Sequence, residues 1–228
     1  MTDTITKTKR WTKRPEGSNW GDFGENDQVG RLNILTPEMR KAAVDEVKEG
    51  LCFVLSLPLD YPGGEPEESP RRAPVLFARD LGPAGPLYNI PFGRLICSDD
   101  NVVMSLQYST QWDSLAHIGA FFDVDGSGEK IPVYYNGWRA HEHIVSPDGD
   151  KPPCAHCLGI ENMAMTGVQG RGILFDLVRA FGTGQTLVGY DQLMRVIDDQ
   201  KIDVRRGDFA LFYTGYGDAV MAGRKQPD

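Results

Sequence analysis

The sequence predicts an α/β domain with a β-rich core, and three observations carry that expectation. Apolar runs of strand length recur at 51–57, 101–107, 131–135, 172–175 and 208–213. Helical periodicity is confined to three stretches, near 36–50, 174–181 and 191–199. The composition, 40% hydrophobic and 25% charged over 228 residues, is that of an ordinary globular chain and excludes collagen, coiled coil and wholesale disorder.

The elements follow in order. Residues 1–18 carry five Lys/Arg and no apolar periodicity, so they read as a mobile polar lead-in, with 19–228 as a single domain. Thr36 is a good N-cap, Pro37 suits the first helical position and Glu38 favours the first turn. Met39, Ala43 and Val47 then recur on one helical face, and Gly50 is placed to end it. Leu51–Leu57 reads as a buried strand. Between Pro58 and Pro86 stand seven prolines and the pair Gly63–Gly64, which predicts a long loop, either a lid or a surface excursion. Strands are expected at Asn101–Gln107, Ile131–Tyr135, Gly172–Phe175 and Asp208–Tyr213, the last punctuated by Gly207 and by Thr214–Gly215.

Charge and cysteine usage narrow the function classes. With 24 basic and 32 acidic residues the net charge is −8, which argues against nucleic acid or an anionic membrane as partner. No run approaches the ~18 apolar residues of a membrane span, and no apolar stretch follows the basic N-terminus as a secretory signal requires. Four cysteines are too few for a disulfide scaffold of this size. A reduced, cytoplasmic enzyme or binding protein acting on a small molecule is the expectation.

The chemistry concentrates in Gln107-Tyr-Ser-Thr-Gln111-Trp-Asp113-Ser-Leu-Ala-His117. If the strand from Asn101 continues to Asp113, then Gln107, Ser109, Gln111 and Asp113 share one face. One helical turn beyond it would return the His117 ring towards the carboxylate. Such a group could hold a divalent cation, with Trp112 beside it as a wall for an apolar or aromatic substrate. The alternative is a solvated strand edge with a capping aspartate.

Other signals are weaker. All four histidines lie between His117 and His156. His141-Glu-His143 followed by Cys154-Ala-His156-Cys157 permits a zinc site, but the ligand order reverses that of common fingers. Pro147, Pro152 and Pro153 favour a surface loop with reduced thiols. Gly167-Val-Gln-Gly170-Arg-Gly172 lacks the order of a dinucleotide-binding turn. Neither Ser109 nor Ser114 sits in a nucleophile elbow.

The 107–117 stretch resembles the signature of the metal-dependent cyclase family, which includes bacterial kynurenine formamidases and isatin hydrolases: His-x-Gly-Thr-His-x-Asp-x-x-x-His. Thr110, Asp113 and His117 hold the matching positions. Ser18–Gly24 with Asp27–Asn33, Leu55–Asp60, Gly159–Glu161 with Gly167–Asp176, and Gly207–Gly215 resemble further motifs of that family. The resemblance implies a swivelling β/β/α fold, an oligomer, and metal-dependent hydrolysis of a small amide, lactam or ester. It implies Gln111, Asp113 and His117 as metal ligands, with His117 completing the site or relaying the proton.

Two departures accompany it. Gln107 and Gln111 replace the two early signature histidines, so an oxygen-rich site would favour Mn²⁺ or Mg²⁺ over Zn²⁺. The last five residues, Arg224–Asp228, form a charged tail with no closing element, which reads as a truncated product. A family member that keeps the fold without catalysis, binding a ligand or partner, is the alternative expectation.

Overall fold

The computed structural model describes residues 9–62 and 71–223. The first eight residues of the lead-in, Gly63, Gly64, Pro66 and Pro70 of the proline-rich segment, and the charged tail lie outside the described residues. In chain order the helices are α1 (Pro37–Val44), α2 (Ile160–Thr166), α3 (Leu177–Phe181), α4 (Tyr190–Gln200) and α5 (Tyr216–Gly223). The strands are β1 (Val75–Ala78), β2 (Ile90–Phe92), β3 (Leu95–Cys97), β4 (Asp100–Val103), β5 (Ala120–Phe122), β6 (Ile131–Val133), β7 (Ile144–Val145), β8 (Cys154–Ala155), β9 (Gly172–Asp176) and β10 (Phe209–Tyr213). The fold is mixed α/β, as the sequence predicts. Its strands pair as two-stranded ladders β1–β4, β2–β3, β5–β6, β7–β8 and β9–β10.

Two compact units share the chain. The first comprises Met1–Leu51, Trp112–Leu174 and Ile202–Leu211; the second comprises Cys52–Gln111, Phe175–Lys201 and Phe212–Asp228.

In the first unit the core is Trp20, Val124 and Val133, with Trp11, Phe122, Ile131 and Tyr135 packed against it. The lead-in thus enters the core from Trp11 on: Thr12 and Lys13 donate backbone N–H groups to Val124 O at 2.7 and 2.9 Å. Arg10 lies 3.6 Å from the Trp138 ring centroid, a cation–π contact. Gly21 and Gly137 both adopt positive φ, and a Cβ on either would meet the Trp11 ring at 2.8 or 2.5 Å. Only glycine fits at both places.

A fully buried asparagine organises this unit. Asn136 sits at φ 56°. Its Oδ1 accepts from Gly21 N at 2.9 Å, and its Nδ2 donates to Gly24 O and Glu25 O at 2.9 Å and to Asp27 O at 3.3 Å. Asp27 extends the net, accepting from Tyr135 Oη and Gly30 N at 2.8 Å and from Asn33 Nδ2 at 2.6 Å. Burial and the Asp27 carboxylate together push the Tyr135 phenol up, so it stays a donor. Gln28 Oε1 accepts from the N–H of the fully buried Leu158 at 2.8 Å. The segment 18–33, singled out by its motif, is therefore a loop clasped by side chains that runs into the 3-10 helix Gly30–Ile34.

In the second unit β1 pairs antiparallel with β4, Val75 opposite Val103 and Ala78 opposite Asp100, and β2 pairs with β3 as a hairpin. Phe175 stacks on Phe212 with centroids 5.0 Å apart. Asp176 caps α3 by accepting from Arg179 N at 2.8 Å. Asp176 also exchanges backbone bonds with the Gln200 amide at 3.1 and 2.7 Å, tying α3 to the end of α4. Val75, Leu76, Phe92, Leu95 and Ile96 on the ladders remain exposed.

Several expectations are corrected. Thr36 caps α1, accepting from Met39 N at 3.2 Å, but the helix ends at Val44 rather than running to Gly50. Glu46 and Val47 close i→i+3 turns instead, leaving Val47 exposed. Leu51–Leu57 is neither strand nor buried: Phe53, Val54 and Leu55 are 76–90% exposed. No ladder among the described residues takes this run as a partner, and an apolar run without one has no reason to extend. The proline-rich stretch contains β1, set in the proline-free interval between Pro74 and Pro83. The strand from Asn101 stops at Val103, and β6 stops at Val133, where Asn136 turns the chain.

Asn136→Ala removes four side-chain bonds to the 21–27 loop and places alanine at positive φ. We expect a loss of about 3–4 kcal/mol, read as a lower urea midpoint with an unchanged slope.

A second prediction concerns acid stability. Partial burial pushes the Asp123 carboxyl up, but the N–H groups of Gly126 and Gly128 and the Lys13 ammonium outweigh it and hold it below the ordinary range. A depressed carboxyl stabilises the fold above its unfolded pKa and loses that contribution as pH falls through the folded value. Below about pH 4 the urea midpoint should fall less steeply in Asp123→Asn than in the parent chain.

Candidate functional site

The 107–117 stretch is not a strand. Ser105 opens a turn instead: Tyr108 N donates to Ser105 O at 3.0 Å, so Gln107, Ser109, Gln111 and Asp113 do not share a strand face. The boundary between the two units falls between Gln111 and Trp112, and each half has its own surroundings.

In the second unit, the residues before the boundary are fastened to two other segments. Arg72 N donates to Ser105 Oγ at 2.7 Å and Ser105 N to Arg72 O at 3.2 Å. Arg71 Nη1 donates to Gln107 O at 2.6 Å. Ser109 Oγ donates to Pro58 O at 2.9 Å, and Thr110 Oγ1 accepts from Leu57 N at 3.0 Å. The two hydroxyls therefore hold the Leu57–Pro58 backbone. Gln107 and Gln111 line a cavity of about 450 Å³ with Arg71, Leu57, Tyr216 and Val220, and buried Tyr108 forms part of its wall.

In the first unit, His117 N donates to Ser114 O at 3.1 Å and Ala116 N to Ser114 Oγ at 3.2 Å. This closes a serine-led turn that places His117, half-buried, three residues beyond Ser114. Trp112 is 58% exposed and donates Nε1–H to Met163 Sδ at 3.3 Å. It lines a cavity of about 350 Å³ with Leu32, Leu35 and Phe209, at whose edge stand Arg31 and Asp208. The Asp208 side chain is 6% exposed and paired with Arg171 at 3.0 Å. Arg171 also donates to Asp203 O at 3.1 and 3.0 Å and lies 3.6 Å from Glu46. Arg171 of the glycine-rich motif is thus a structural ion-pair centre.

A divalent cation takes four to six donors, and Gln111, Asp113 and His117 offer at most three. Among the described residues no cluster of three or more His, Cys, Asp or Glu side chains gathers where a metal could be held. These donors do not by themselves fit a resident metal.

The histidine–cysteine stretch has structural roles. His143 Nδ1 accepts from Arg139 N at 3.1 Å, and its ring stands edge-on to Trp138 at 4.8 Å. Cys154 Sγ lies 3.6 Å from His156 Nδ1, and all four cysteines are free thiols. Burial pushes the Cys157 thiol up against an opposing effect of Arg10, which disfavours the thiolate a metal or redox role needs. Arg71 is the site residue that sequence reasoning missed. It stands in the proline-rich segment, and no spacing rule links it to Gln107.

The cyclase family model matches residues 22–227. Among solved structures, a crystal structure of a novel cyclase superposes with a TM-score of 0.68 at 30% identity. The match covers 90% of this chain and 63% of that one, so the chain spans less than two thirds of that protein's length. Among curated proteins none matches. No helix among the described residues is long and apolar enough to cross a membrane.

Arg171→Met strips Asp208 of its cation. A half-buried pair broken on one side should cost about 2–4 kcal/mol. The double change Arg171→Met with Asp208→Asn should recover part of it, as measured by urea denaturation in a double-mutant cycle.

Proposed function

The chain belongs to the cyclase family, and on that premise we propose that it hydrolyses a small amide, lactam or ester. One observation carries the reading: Asp113 and His117 keep the signature positions where the two early histidines have become Gln107 and Gln111. Imidazole is the side chain best suited to move a proton near neutral pH.

In this reading His117 takes a proton from the water that attacks the carbonyl carbon. Asp113 accepts a hydrogen bond from that water and steadies the imidazolium charge. The new C–O bond forms, the C–N or ester C–O bond breaks, and His117 returns the proton to the leaving nitrogen or oxygen. Each of these roles belongs to residues of this chain. A cation, if one takes part, must draw further donors from beyond Gln111, Asp113 and His117, and Mn²⁺ and Mg²⁺ suit such oxygen donors better than Zn²⁺ does.

The test is turnover of N-formylkynurenine-like and isatin-like compounds, in chelator and with added Mn²⁺, Mg²⁺ or Zn²⁺. His117→Ala should lower kcat about 10²–10⁴-fold with the fold intact by circular dichroism. A folded chain that turns over none of these compounds under any condition overturns the hydrolase reading and favours a non-catalytic family member.

A further inference from the structure

We infer that the first unit's cavity of about 350 Å³ binds a small aromatic acid, with the ring against Trp112 and the carboxylate at Arg31. Every residue that lines this cavity belongs to the first unit. Such a site goes beyond the hydrolytic reading and uses neither Asp113 nor His117.

The walls select a flat apolar body. Leu35 and Met163 are buried and so fixed in place, with Leu32 and Phe209 half-buried beside them in the lining. Trp112 leaves more than half of its surface uncovered, although burying an aromatic ring is among the larger gains of folding. Its one polar edge is already engaged, because Nε1–H is bound to Met163 Sδ at 3.3 Å. That bond fixes the plane of the indole, and the face left over is apolar and suited to stacking. The volume is that of a small-molecule site.

The rim selects an anion. Arg31 is exposed and makes no ion pair or side-chain hydrogen bond among the described residues. Its neighbours in charge are all engaged: Arg171 and Arg205 are paired with Asp208, Glu46 and Asp203. Asp208, which also lines the cavity, is neutralised in the same way. Its Oδ2 accepts from Arg171 Nη1 at 3.0 Å and from Arg205 N at 2.7 Å. The guanidinium of Arg31 is therefore the uncompensated charge among the described lining residues, and its planar fork matches a carboxylate. Its backbone is set in advance by Asp27, which holds Gly30 N at 2.8 Å and Asn33 Nδ2 at 2.6 Å on either side. The net charge of −8 opposes an anion only weakly, since charges more than about 8 Å away are screened at physiological salt.

The experiment measures binding of three probes to the full chain by calorimetry, with indole fluorescence as a second readout: 2-naphthoate, its neutral isostere 2-naphthamide, and cyclohexanecarboxylate, which has the charge without the ring. Naphthoate should bind about tenfold more tightly than naphthamide, the worth of a charge-assisted hydrogen bond, and more tightly than cyclohexanecarboxylate. Arg31→Gln should erase the preference over naphthamide and leave the ligand-free melting temperature unchanged, because the parent guanidinium has no ion pair to lose. Trp112→Leu should weaken naphthoate about threefold or more, the worth of an aromatic pair, and bring it level with cyclohexanecarboxylate.

Equal affinity of the parent chain for naphthoate and naphthamide, no binding of either, or a preference that survives Arg31→Gln overturns the carboxylate anchor. Naphthoate bound no better than cyclohexanecarboxylate by the parent chain overturns the stacking face. Each of these outcomes is read without turnover, so failure of the binding site and failure of the hydrolase are separate results.

Discussion

The first unit depends on a single buried carboxamide. A loop from Gly21 to Asp27 has no ladder to satisfy its carbonyls, and buried backbone groups must find partners. Asn136 supplies them: one acceptor and one amide nitrogen meet four backbone groups of that loop. Asparagine suits the task because it tolerates φ 56° and carries both donor and acceptor. The choice constrains its surroundings. Tyr135 must stay protonated to donate to Asp27, Gly137 must lack a Cβ beside Trp11, and β6 must end before Asn136 can turn inward.

The second unit is fastened differently. Its ladders are short and largely exposed, and side-chain bonds to backbone do much of the joining. Ser105 is locked to Arg72, Ser109 and Thr110 to the Leu57–Pro58 backbone, and Gln200 to Asp176. Ser109 and Thr110 of the signature are thereby committed to structure. What the signature leaves for chemistry is the pair of glutamines on one side of the unit boundary and Asp113 with His117 on the other.

Charge has a similar local logic. The chain is acidic overall, yet its cations are placed one at a time against specific acceptors: Arg10 on the Trp138 ring, Arg171 on Asp208, Arg71 on the Gln107 carbonyl. Net charge says nothing of which cation meets which acceptor. That depends on which segments lie side by side.

The residues alone determined the elements whose signals are local. The Thr36–Pro37 helix start, α4 with its apolar face, and β9 and β10 with their glycine and threonine punctuation all follow from capping, period and turn chemistry within a few residues. The family was legible too, because its motifs are short and ordered along the chain. Tertiary structure decided the rest. Leu51–Leu57 has the composition of a strand, but a strand needs a neighbour to hydrogen-bond, and no ladder of the described residues includes it. The run from Gln107 to Asp113 alternates as a strand would, yet Ser105 found a better partner in Arg72, thirty-odd positions away, and the chain turned. The roles of Asn136 and Arg71 were invisible for the same reason. Each acts on backbone groups distant in sequence, and no local pattern of residues records which carbonyl will need a donor.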